Sequence, residues 1–442
     1  MRQLSLFDTS DEPEEAKVDS ARREHGRPTL GEAPAAGSPP GLSEADGSSR
    51  LRAATDGGYA QSRVASSAAG DRPFAQAIMR PSGRKSLLDG ADFIATQTLV
   101  QGSTSDRLSE SERSHSETSP GTLPASILAA TPSPDVRSLA QSLAHALENA
   151  LYLGTSSWSF PGWSGLIYGQ PSGKSNLSQQ GLPAYAQHPL LRSVGVDSGF
   201  YAPLDSARLA RWAAQVPPGF RFLVKAPALI TDRFRRAAHG RPAGTNPSFL
   251  DAEHALDIAV GPFLEGLGDK AGVLLFQFPP VGRDGSTEPR RFAEALYRFL
   301  KRLPKGPTYA VELRDRPLLT PDLAAALHHG GAVPSLALHP RLPPLPTQLS
   351  LFDAYRADGP LVVRWLLRRN RRYAEARERY APFDRLCEPD PIARHDLADA
   401  VIAALGERRP VFVIANNKAE GSAPLTLIEL ARQLADVRNH SA

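Results

Sequence analysis

From residue 151 onward, short apolar runs alternate with longer stretches of helical period. Eight of the runs are rich in β-branched and aromatic residues and read as strands: Leu151–Thr155, Ser193–Ser198, Phe220–Lys225, Gly272–Gln277, Thr308–Leu313, Val333–Leu338, Leu361–Trp365 and Val411–Ala415. Between them, segments such as SARLARWAAQV, RRFAEALYRFLKRL, TPDLAAALHHG, RHDLADAVIAALG and APLTLIELARQLAD repeat apolar residues three and four apart, the spacing of one helix face. Thr320 and Pro321 supply an N-cap and a first-turn proline for one of these helices. Strands separated by helices predict a parallel sheet, and eight of them predict an α/β fold of the (β/α)8 TIM type over residues 151–438. An open doubly wound sheet is the competing arrangement, but the chain offers no Gly-rich phosphate loop of the dinucleotide or Walker type in its favour.

The preceding residues have a different character. Residues 9–133 are dense in Ser, Gly, Pro, Ala and charge, as in GRPTLGEAPAAGSPPGLSEADGSSR. Such a composition buries too little apolar surface to offset the entropy of ordering. The pattern therefore predicts a disordered extension over residues 1–133, with a transient helix at Leu87–Val100, and then a lead-in helix over residues 134–150. The hexapeptide Gln3-Leu4-Ser5-Leu6-Phe7-Asp8 opens the extension and recurs letter for letter at Gln348-Leu349-Ser350-Leu351-Phe352-Asp353.

Composition narrows the chemistry. Cys387 is the only cysteine of 442 residues, so neither an intramolecular disulfide nor a Cys-built zinc site is available. No apolar run is long enough for a membrane span, and the N-terminus lacks the basic-then-apolar order of a secretory signal, so a cytoplasmic protein is expected. The formal net charge of +4 permits a nucleic-acid partner without requiring one.

In a parallel barrel the working face is where strands end. The strand ends here carry Trp158, Asp197, Tyr201, Lys225, Gln277, Glu312, Arg314, His339, Arg364, Asn416 and Asn417, and Arg368 follows the seventh strand. Every barrel mouth is polar because its loops meet water. Here one Lys, several Arg and paired amides converge with aromatic rings, which suits an anionic or sugar-phosphate ligand. Glu312 is the candidate general base and Lys225 its catalytic companion; an acid two residues from an arginine also commonly pairs with it. Trp158, Tyr201, Gln277, Arg314, Arg364, Arg368, Asn416 and Asn417 are the candidate ligand contacts. No HxH, HExxH or GxSxG spacing is present, so no metal site and no serine nucleophile are expected, and no cofactor is identified. The segment RWLLRRNRRYAEARERY, Arg364–Tyr380, holds seven arginines and reads either as a solvated helix face or as a phosphate-binding strip.

The ordered set LGTSSWSFPGW, SGFY, FRFLVKAP, LLFQFPP, YAVELR and Asn416-Asn417 resembles the YecE-like family, domain of unknown function 72, over roughly residues 150–437. The resemblance implies a TIM-type barrel of unestablished activity, with nucleic-acid binding suggested by analogy with endonuclease IV-type barrels. The chain departs from the family pattern at Gly195, where a Glu is usual, and at Asp197, where an Asn is usual. Thr231-Asp232 stands for a Thr-His pair, and Arg364-Trp365-Leu366-Leu367 for an Arg-x-His-Gly motif. These losses weaken acid–base or metal chemistry and favour binding. Separately, QLSLF resembles the pentapeptide by which bacterial DNA polymerases and repair proteins bind the sliding clamp. Gln3, Leu4, Leu6 and Phe7 are its partner-binding residues, with Leu and Phe as buried anchors.

Three readings follow. The first is a DNA-associated barrel recruited to the sliding clamp that binds or processes nucleic acid or phosphate ligands at its strand-end face. The second is a sugar or sugar-phosphate isomerase or hydrolase using Glu312 and Lys225. The third is a non-catalytic adaptor. The copy at residues 348–353 serves either as a second docking peptide or as packing on the barrel.

Overall fold

The structure is a computed structural model and describes residues 127–236, 242–280, 288–355 and 359–440. Eight parallel strands close into a barrel: β1 (Leu151–Thr155), β2 (Leu191–Val196), β3 (Arg221–Lys225), β4 (Ala271–Phe278), β5 (Tyr309–Leu313), β6 (Val333–Leu338), β7 (Leu361–Trp365) and β8 (Val411–Ala415). Each pairs with its neighbour in sequence, and β8 returns to β1 with Leu151 opposite Val411 and Thr155 opposite Ala415. All eight expected strands are present, and the open-sheet alternative falls.

The pleat of the strands sorts their side chains into two sets. Leu223, Val273, Leu275, Ala310, Val333, Val362, Phe412 and Ile414 point inward and form one apolar cluster, and Tyr152 stacks on Phe412 at 4.5 Å. The alternate residues, among them Leu153, Val194, Phe222, Val224, Leu274, Phe276 and Val413, face outward into a larger cluster shared with the surrounding helices. The helix Pro289–Arg302 shows how the period works: Phe292, Ala293, Leu296, Phe299 and Leu300 are all buried, and they lie along one face. As expected, Thr320 caps the helix Pro321–Gly330 by accepting a bond from Leu323 N–H.

Most of the expected disordered extension, including Leu87–Val100 and the hexapeptide at residues 3–8, lies outside the described residues. Its last part, residues 127–133, departs from the expectation. Ile127 is buried, Ala130 N–H donates to Ile167 O at 2.8 Å, and Gly169 N–H donates to Leu128 O at 2.9 Å. The lead-in helix is two short helices, Pro134–Ser142 and Ala144–Asn149. A two-stranded antiparallel hairpin, Phe234–Arg236 with Pro242–Thr245, follows β3 and has no counterpart in the strand pattern read from sequence.

Candidate functional site at the strand ends

Two residues beyond the apolar floor, on the same inward side, the barrel interior turns polar. Leu223 is followed by Lys225, Leu275 by Gln277, Ala310 by Glu312 and Val362 by Arg364. Glu312 is 0% exposed, and Gln277 and Arg364 are 1% exposed. Gln277 stands opposite Glu312 in the β4–β5 register. β2 contributes Gly195 at this level. A Cβ there would lie 3.2 Å from both Ile414 Cγ2 and Ser156 Cα, a tight fit that a larger side chain would meet only if these neighbours gave way by a few tenths of an ångström.

Glu312 organises the cluster. Arg314 Nη2 lies 2.7 Å from its Oε1, Arg364 Nη1 donates to both its oxygens at 3.3 Å, and Ser335 Oγ donates to Oε2 at 3.4 Å. Arg364 then turns its other nitrogen to Asp197, donating to the two carboxylate oxygens at 2.9 and 3.1 Å. Burial alone would raise the Glu312 pKa, but the charges of Arg314, Arg364 and Lys225 outweigh it and hold the carboxyl below its ordinary range. Burial likewise opposes the charge on Arg364, and Asp197 and Glu312 overcome it. Glu312 is therefore a fixed counter-ion and a poor proton acceptor, which weakens its expected part as general base. Lys225 is buried, with Nζ 3.9 Å from the centre of the Phe200 ring.

The other expected contacts divide. Tyr201 stands at the rim, 52% exposed, edge-on to Phe200 at 5.5 Å. Trp158 is buried and meets Trp212 edge-to-face at 5.3 Å. Asn416 is half-buried, and its Oδ1 accepts from Lys418 N–H at 3.1 Å. Asn417 is committed to the fold: its Oδ1 accepts from Trp163 Nε1 at 3.2 Å and from Ala423 N–H at 2.8 Å, tying the loop after β1 to the start of the helix Ala423–His440. Arg368 donates to the carbonyls of Glu388 and Pro389 at 3.2 and 2.8 Å and pairs with Asp390 at 3.2 Å. Arg371 and Arg379 both pair with Glu388, at 2.6 and 3.0 Å. The arginine-rich segment thus spends much of its charge inside the molecule, and the expected phosphate strip is reduced mainly to exposed Arg369 and Arg372. Thr231 and Asp232 are buried, and Asp232 binds Arg236 of the hairpin at 2.6 Å.

Sequence reading passed over one residue on this face for the contact set. His339 follows β6, and its Nδ1 accepts from Arg341 N–H at 3.2 Å. Its position at a strand end was the available signal. Among the described residues no group of three or more His, Cys, Asp or Glu side chains gathers as a metal site. No helix there is long and apolar enough to cross a membrane.

The molecule is thus a (β/α)8 barrel with a charged, largely buried cluster at the C-terminal ends of its strands. Residues 152–441 match the family model "Protein of unknown function DUF72", and the chain belongs to that family. It is 32% identical over 104 residues to UPF0759 protein YunF of Bacillus subtilis, a match that spans 23% of this chain and 33% of that protein. Two solved structures of DUF72 family proteins are similar at 21% identity. One, from Enterococcus faecalis V583, is covered over 95% of its length and 65% of this chain with a TM-score of 0.45. The other, from Thermotoga maritima MSB8, is covered over 99% of its length and 65% of this chain with a TM-score of 0.44.

Proposed function

We propose that the strand-end mouth binds a small anionic ligand, phosphate- or carboxylate-bearing, and holds it by charge and hydrogen bonds rather than by proton transfer at Glu312. The observation that carries this reading is unmet hydrogen-bonding capacity. Trp158 Nε1, both carboxamide atoms of Gln277, Arg314 Nε and Arg364 Nε are buried without a partner. Buried polar groups are nearly always paired, and each one left unpaired costs about 1–3 kcal/mol. The oxygens of an anionic ligand supply acceptors for the N–H donors of Trp158, Gln277, Arg314 and Arg364, while Gln277 Oε1 calls for a donor such as a ligand hydroxyl. The charge agrees: Lys225, Arg314 and Arg364 face Glu312 and Asp197, so the cluster is net positive by one. A nucleotide or sugar phosphate belongs to this ligand class, and Tyr201 at the rim offers a ring on which a base or sugar stacks.

Calorimetric titration of the full chain with sulfate and with inorganic phosphate tests the reading. Arg314→Gln and Gln277→Leu are each expected to weaken binding at least tenfold, about 1.4 kcal/mol, with unchanged far-UV circular dichroism. Absence of binding by the wild type, or equal binding by all three proteins, rejects it.

A second reading concerns recruitment. Gln3, Leu4, Leu6 and Phe7 carry the clamp-type spacing in a sequence context with no apolar neighbours to bury them. Where the same six letters recur, at residues 348–353, the barrel buries Gln348 and packs Leu349 and Phe352 against its core. The hexapeptide is thus a sequence that takes a surface when one is offered. We infer that the first copy takes the surface of a sliding clamp, bringing the anion-binding barrel to DNA.

A further inference from the structure

We propose that His339 is a neutral hydrogen-bond donor to the anionic ligand of the strand-end mouth, orienting one ligand oxygen through Nε2–H. The inference rests on the anion-binding reading of that mouth and adds to it a contact and a tautomer. His339 directly follows β6, on the side of the strand that turns Ser335 toward Glu312. The backbone N–H of Arg341 donates to its Nδ1 at 3.2 Å. That bond needs the Nδ1 lone pair, so the ring proton belongs on Nε2, and neither the Nδ1–H tautomer nor the imidazolium is compatible with it. Nε2 has no hydrogen-bond partner among the described residues, and the half-buried ring lies within electrostatic reach of Arg314 and Glu312, which sets it beside the cluster.

The charges facing the ring fix its state. Burial disfavours the imidazolium, and Arg314 and Arg341 repel it. Glu312 alone favours it, and that carboxylate is already shared between Arg314 and Arg364. The pKa is accordingly pushed down to about 3. A charged histidine would tie anion binding to pH across the neutral range. A neutral donor keeps the geometry of the contact and removes that dependence.

Sulfate is the probe, because its charge is constant from pH 5.5 to 8. With the full chain labelled with 15N-histidine, His339 is expected to show the Nε2–H tautomer at every pH in that range. Sulfate affinity is expected to stay level with pH as far as this residue governs it. His339→Ala is expected to weaken sulfate binding about ten- to hundredfold, the scale of one hydrogen bond to a charged group. His339→Gln, which keeps a donor at similar reach, is expected to recover most of the loss. A ring that titrates near pH 6.5, an Nδ1–H tautomer, or His339→Ala binding sulfate as the wild type does overturns the inference while leaving the anion site standing. No sulfate binding by the wild type removes the anion site and this inference together, and the tautomer measured by resonance still reports separately on the Arg341 bond.

Discussion

Glu312 reads in the sequence as a candidate general base or as an ion-pair partner, and in the structure it pairs with Arg314 and Arg364. What changes its meaning is Arg364, which comes from 52 residues away and reaches both of its oxygens. Removing one partner of a buried pair leaves the other charge unsolvated, at a cost of about 3–5 kcal/mol. Glu312→Gln should therefore lower the unfolding free energy by about that amount, as read from urea denaturation at neutral pH. An unchanged midpoint would mean that Arg314 and Arg364 do not depend on the carboxylate. The pH dependence has a definite sign. The folded carboxyl ionises more readily than one at the ordinary value of 4.5. Its stabilisation is fully present above that pH and is lost as pH falls through the lower folded value, so the variant should show a shallower acid decline. Adjacent Arg314 was a legible partner in the sequence. Asp197 as partner of Arg364 was not, because nothing local links residues 167 positions apart.

At the scale of elements, the helix Leu345–Phe352 decides the second QLSLFD. The β5–β6 ladder registers only Ala310 with Val333 and Val311 with Pro334. Further along β6, Ala337 finds its partner in a side chain. Its N–H donates to Gln348 Oε1 at 3.2 Å, and Gln348 Nε2 donates back to its carbonyl at 2.9 Å and to Pro343 O at 2.8 Å. The carboxamide thus pairs the backbone groups that a neighbouring strand would otherwise engage, which explains why a glutamine can be 3% exposed. Gln348→Ala should destabilise the barrel by about 2–4 kcal/mol, since two buried backbone groups lose their partner. Thermal melting and amide exchange at Ala337 would check this, and full protection of that amide in the variant would contradict it. The sequence showed apolar spacing fit for packing; it did not show that Gln348 would complete a strand edge.

At the scale of the whole molecule, identical letters acquire different neighbours. The copy at residues 348–353 is held by the barrel, so a clamp that reads QLSLF should depend on residues 3–7 alone. Titrating purified sliding clamp against the full chain should give binding that Leu6→Ala/Phe7→Ala weakens at least tenfold, the effect of losing two apolar anchors. Leu349→Ala/Phe352→Ala should leave the affinity unchanged. Equal binding by the wild type and the first variant, or none by either, removes the recruitment reading.

The amino-acid sequence by itself determined the eight strands, the helices between them and the inward level at which apolar residues give way to Lys225, Gln277, Glu312 and Arg364. These follow from periods of two and 3.6, which are properties of the local backbone. Tertiary structure alone decided the partners. Closure of the barrel brings Arg364 between Asp197 and Glu312, spends Arg368 and Asn417 on the loops, and leaves Gln277 and Arg314 with unmet hydrogen-bonding atoms beside Glu312. Which charge is neutralised and which stays available depends on distances across the barrel, and local spacing along the chain carries no record of them.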